Sequence, residues 1–199
     1  MSPERWLSVL TIIVFTGFFG CTRGCGSSLN GASEVLNADR GFKFPSNFPP
    51  DPGQEGRKTL EGIDSDHDGL RDDVQRWIYA RYPNDESKRK ALRQMALQYQ
   101  LDMKVGTSLT IDQKYSQSKQ GDLAGRCLTK RFPDEQDSKT GNMIYHSYTE
   151  MEYVKAKVLN IEARTAQFLK VDAQYDGMVF GDGMPDDLTQ DEKQNPCDP

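Results

Sequence analysis

Residues 64–73 read Asp-Ser-Asp-His-Asp-Gly-Leu-Arg-Asp-Asp, five carboxylates within ten residues. Like charges this close repel, so the local backbone must either splay them or gather them around a cation. Asp64, Asp66 and Asp68 strictly alternate, and Gly69 follows at once. Alternate side chains converge on one point when the chain curls, and a glycine permits the sharp turn that curling needs. The competing reading is an acidic turn without an ion. Asp-Gly is a common turn pair, and Asp72 and Asp73 suit the cap and first turn of a following helix. That alternative explains the last two acids but not the alternation of the first three.

The run resembles the EF-hand loop, and more narrowly the bacterial EF-hand-like and thrombospondin type 3 calcium repeats. On that resemblance Asp64, Asp66 and Asp68 fill the first, third and fifth positions of a Ca2+ loop over 64–75, and Gly69 the sixth. Leu70 offers its backbone carbonyl at the seventh, and Asp72 acts at the ninth. The twelfth position holds Gln75 where the pattern has a bidentate Glu, so either a ligand is weakened or Asp73 substitutes. His67 falls where the side chain points away from the ion. Residues 53–63 hold three glycines and no apolar stripe, so the entering helix of a true EF-hand is not expected. The resemblance implies a metal site, not a fold.

Residues 6–19 form an apolar run broken only by small Ser, Thr and Gly. It is short for a membrane span and suits the core of a secretory signal. Its ending, Gly17-Phe18-Phe19-Gly20-Cys21, resembles a bacterial lipoprotein signal. The resemblance implies cleavage after residue 20, lipid on Cys21, and an outer-membrane location, since Thr22 replaces the Asp of inner-membrane retention. An ordinary cleaved signal or an uncleaved anchor are the alternatives. Residues 21–52, rich in Gly, Ser, Asn and Pro, read as a lipid-anchored flexible tether, and residues 53–199 as the folded domain.

An oxidising compartment favours a disulfide, and Cys127 with Cys197 is the natural pair, Cys25 with Cys197 the rival. The net charge is −5, and the short basic run Lys88-Arg89-Lys90 reads as a solvated helix face, which argues against nucleic acid and against electrostatic binding to anionic lipid.

Within the domain, apolar residues recur at helical spacing. Val74, Trp77 and Ile78 mark a helix ended by Pro83. Asn84 and Asp85 cap a second, with Leu92, Met95, Ala96, Tyr99 and Met103 on one face. A third runs from Ile111 to Phe132, whole or in two pieces, with Ala124, Cys127 and Leu128 inward. A stripe from Ile144 through Tyr148, Met151, Val154, Val158, Ile161 and Thr165 to Phe168 predicts one long fourth helix. No alternating strand stands out. The expected fold is all-α, about four antiparallel helices behind the ion loop. The tail, residues 181–187, reads as an acidic turn or as remote ligands for the same ion.

No nucleophile elbow, phosphate loop or zinc pattern is present in the sequence. The expectation is a calcium-binding, lipid-anchored envelope protein with a structural or binding role and an unidentified protein partner. The rival is an envelope hydrolase of cell-wall or glycan substrates that uses calcium only structurally.

Overall fold

The structure is a computed structural model that describes residues 33–104, 108–176 and 188–197. The expected signal segment, Cys21, Cys25 and the acidic tail at 181–187 lie outside those residues.

The described chain is mostly helical. Helix α1, Asp72–Arg81, starts directly from the acidic run and buries Val74, Trp77 and Ile78. Helix α2, Glu86–Lys104, buries Leu92, Met95, Ala96 and Met103. At its start, Asp85 Oδ1 accepts the Lys88 amide hydrogen at 3.0 Å and the Ser87 hydroxyl at 2.9 Å. Such acceptors satisfy first-turn donors that have no partner within the helix. Helix α3, Ile111–Arg131, is one piece, and Leu123, Ala124, Cys127 and Leu128 face inward. A capping box between Thr110 and Gln113 fixes its start.

After α3, strands β1, Glu135–Gln136, and β2, Met143–Ile144, form a small antiparallel hairpin that the sequence pattern did not show. Two-residue strands carry no alternation to read. Asp137 Oδ1 makes the turn by accepting the amide hydrogens of Lys139 at 2.7 Å and Thr140 at 3.1 Å.

The long fourth helix expected from residue 144 onward is two helices, α4, His146–Val158, and α5, Glu162–Asp172. The break contains neither Pro nor Gly. The last carbonyls of α4 turn to a foreign donor instead: Arg71 Nη1 donates to Val158 O at 2.9 Å and Nη2 to Lys157 O at 3.3 Å. Leu159 O accepts from the Thr165 hydroxyl at 3.2 Å. Carbonyls satisfied this way no longer need a further helical turn. Two members of the expected stripe, Tyr148 and Thr165, face solvent. A short α6, Gln190–Gln194, ends the described chain.

Helix α2 is the hub, packing on α1, α3, α4 and α5. The core gathers Leu70, Val74, Trp77, Leu92, Ala96, Ala124, Leu128, Val154 and Val158. Part of the stretch expected as tether lies on this body. Val35 and Ala38 pack against the core, and Trp77 Nε1 donates to Val35 O at 2.9 Å. Phe42, Phe44 and Phe48 surround Tyr79 at ring-centroid distances of 6.0, 6.0 and 4.7 Å. Lys157 reaches Asp39 at 3.3 Å. The apolar area these half-buried phenylalanines remove from water offsets part of the cost of ordering a Pro-rich segment. Cys127 and Cys197 are bonded, with Cα atoms 4.8 Å apart, which fastens the segment after α6 to α3. Among the described residues no helix is long and apolar enough to cross a membrane.

Candidate metal centre

The acidic run folds as a tight loop leading into α1. Its curl is held by its own side chains. Asp64 Oδ1 accepts the Asp68 amide hydrogen at 3.2 Å, and Oδ2 accepts that of Gly69 at 2.9 Å. Asp68 Oδ1 accepts the Leu70 amide hydrogen at 2.8 Å. Gly69 has φ +88° and His67 φ +57°; the first suits glycine, the second is unusual for any other residue. His67 is exposed.

Among the described residues, Asp64, Asp66 and Asp72 each offer a ligand atom, and these atoms lie within 4.8 Å of one another. Two carboxylates at that separation repel by about 3 kcal/mol at an effective dielectric constant of about 20. Asp72 is fully buried. One of its oxygens accepts the Ser65 amide hydrogen at 2.9 Å, but Oδ2 is buried without any hydrogen-bond partner. A buried, unpartnered anionic oxygen beside two further carboxylates is costly in the absence of a cation. Gln75 repeats the pattern. Its Nε2 donates to Asp66 Oδ2 at 3.0 Å and Asp68 Oδ2 at 2.9 Å, while its Oε1 is buried without a partner. The Gln75 bond is the main reason that the Asp66 carboxyl sits below the ordinary carboxylate range. The donor set is all oxygen, the preference of hard divalent ions.

Two other expected ligands, Asp68 and Asp73, hold arginines. Asp68 turns outward to Arg93, whose Nη1 meets Oδ2 at 2.5 Å and whose Nη2 meets the Asp68 carbonyl at 2.6 Å. Asp73 turns inward. Arg71 Nε and Nη2 bind its two oxygens at 2.9 and 3.1 Å, and Asn160 Nδ2 adds a bond at 2.8 Å. Burial pushes the Asp73 carboxyl up, but Arg71 and Asn160 outweigh it, and the net shift is downward. Leu70 is buried with its side chain in the core.

Behind the loop lies a frame that the acidic pattern does not announce. Gln100 of α2 accepts the Arg71 amide hydrogen at 3.0 Å and donates to Gly69 O at 3.0 Å. Arg71 and Arg164 are both buried. Arg164 donates to Leu60 O at 3.0 Å, Thr59 O at 2.9 Å and Gly56 O at 2.6 Å, so it grips the segment leading into the loop. Burial, and then the nearby Arg71 charge, pulls the Arg164 guanidinium down to about 10. Gly62 makes room for both arginines. A Cβ there would stand 2.5 Å from Arg71 Cδ, on a backbone with φ +68°. Nothing in the sequence marks Gln100, Arg164 or the long-range bonds of Arg71, since these reach carbonyls and amides far along the chain. Gly62 carries a weak signal, as a glycine just before the acidic run.

No known protein family, curated protein or solved structure matches the chain.

Proposed function

We propose that residues 64–75 are an EF-hand-like calcium site, with Asp64, Asp66 and Asp72 as carboxylate ligands and Gln75 Oε1 as a neutral one. The observation that carries this reading is the fully buried Asp72, whose Oδ2 has no partner in a group with Asp64 and Asp66. Calcium there supplies the positive charge that offsets their repulsion and binds the loop to the first turn of α1. Affinity belongs to the range of weak extracellular sites, ~10⁻⁴ to 10⁻³ M, because the twelfth position is an amide. Calorimetry on the chain without residues 1–20 tests it. Heat at millimolar calcium that disappears in Asp72→Asn is the expected result; no heat in the parent removes the reading.

Around that site the protein is a lipid-anchored component of the bacterial envelope, held through Cys21 at the outer membrane and facing the periplasm. Its role is structural or in protein binding. The basis is the sequence of residues 6–21, together with a disulfide suited to an oxidising compartment. Cys21→Ser is expected to release the protein from membranes or block its processing. A variant that fractionates with membranes and migrates like the parent rules out lipid on Cys21.

One observation favours the hydrolase reading. Asp102 lines a surface cavity of about 400 Å³ with Gln117 and Tyr175. Burial, and then the charge of Asp172, raises its carboxyl to about 7, the range of a general acid. Cell-wall digestion by the parent but not by Asp102→Asn would replace the binding role with this one.

A further inference from the structure

We propose that Arg93 is an internal competitor of the cation: it occupies Asp68, the loop's fifth position, and must release it before an ion gains its full carboxylate set. The inference rests on residues 64–75 being a cation site. Asp64, Asp66 and Asp72 already converge, and Asp72 is buried with one unpartnered oxygen. Asp68 alone among the three alternating acids is absent from that group.

Asp68 is held by other partners. Asp68 Oδ1 accepts from Leu70, and Oδ2 accepts from both Gln75 Nε2 and Arg93 Nη1. Arg93 Nη2 takes the Asp68 carbonyl as well, so the guanidinium grips the residue at two points. Both carboxylate oxygens are committed, the opposite of Asp72. The Arg93 charge and the two Gln75 donor bonds therefore offset part of the repulsion in the acidic run without a metal, and leave Asp72 Oδ2 unpartnered. Paired and hydrogen-bonded carboxylates hold their shape where bare ones repel.

This arrangement has two effects on the site. It keeps the loop folded when calcium is low. It also lowers affinity, because ion binding that recruits Asp68 must first break the Arg93 pair. The released guanidinium has a place to go. Arg93 lines a cavity of about 220 Å³ that also holds Glu86, a carboxylate that can receive it, although Arg89 and Lys90 share that lining. The pair is partly exposed, at 32% for the Arg93 side chain and 26% for Asp68. A pair of that exposure changes an equilibrium by about fivefold.

Calcium titration calorimetry on the chain without residues 1–20 separates the outcomes. In Arg93→Gln the dissociation constant should fall about fivefold, while Arg93→Lys, which keeps the charge, should stay near the parent. In the unaltered protein, the Arg93 guanidinium resonances should move as calcium saturates the site; this measurement stands even where a variant folds poorly. Equal affinity in all three proteins, weaker binding in Arg93→Gln, or guanidinium signals unmoved at saturation would overturn the competitor role and leave the calcium site standing. No calcium heat in either the parent or Arg93→Gln would remove the site and the competitor together.

Discussion

At Asp72 one carboxylate oxygen accepts the Ser65 amide hydrogen and the other accepts nothing. That asymmetry predicts an inversion of sign. With chelator present, Asp72→Asn should melt no lower than the parent, because it removes a buried charge that lacks a counterion. With saturating calcium it should melt lower, having lost a ligand. Thermal scans in the two buffers check both halves. Gly62 carries a second prediction. A side chain there meets Arg71 at 2.5 Å on a left-handed backbone, so Gly62→Ala should cost about 2 kcal/mol or more, read by urea unfolding. The acidic alternation drew attention to residues 64–73, where Asp64, Asp66 and Asp72 converge. It assigned Asp68 and Asp73 to the same point, where the structure pairs them with Arg93 and Arg71. Spacing reveals which carboxylates are near one another. It does not reveal which arginine from a distant helix claims one of them.

Among the elements, the junction of α4 and α5 depends on a residue in neither helix. Arg71 binds the Val158 carbonyl from 87 positions away and holds Asp73 on the other side of its guanidinium. Arg71→Ala should cost about 3 kcal/mol, since it removes the cation from a part-buried carboxylate and frees two helix-terminal carbonyls. Circular dichroism during urea unfolding would register the loss. Should the variant match the parent, the Arg71 bonds are not what divides the helices. The same residue explains the limit of the helical stripes. Val74, Trp77 and Ile78, and likewise Leu92, Met95 and Ala96, are buried as their spacing requires. The stripe from 144 to 168 also read as helical, and Val154 and Val158 are buried, but its spacing alone does not show a break between Val158 and Glu162. Its interruption came from Arg71 and Asn160 side chains, which no local pattern records.

For the whole molecule, proton linkage follows from Asp102. Its folded carboxyl is raised to about 7 by burial and by Asp172, above its unfolded value. Below about pH 4 both states hold the proton. As pH rises from there to about 7 only the folded state keeps it, so this residue's support for the fold declines across that window. A melting-temperature profile against pH should show the decline, and Asp102→Asn should flatten it. Reduction acts on the whole chain too. The Cys127–Cys197 bond closes a loop of 70 residues, and its loss should lower stability by about 4 kcal/mol in the chain-entropy view. The same bond alters what a peptidase can accomplish. A single cut anywhere between residues 128 and 196 opens a ring and releases no fragment. Both pieces stay attached at residues 127 and 197 until a reductant arrives, so a nicked molecule keeps its full mass and its tail remains fastened beside α3. Clearance by proteolysis then needs either two cuts or a reducing partner, and electrophoresis of nicked protein with and without reductant would display the difference.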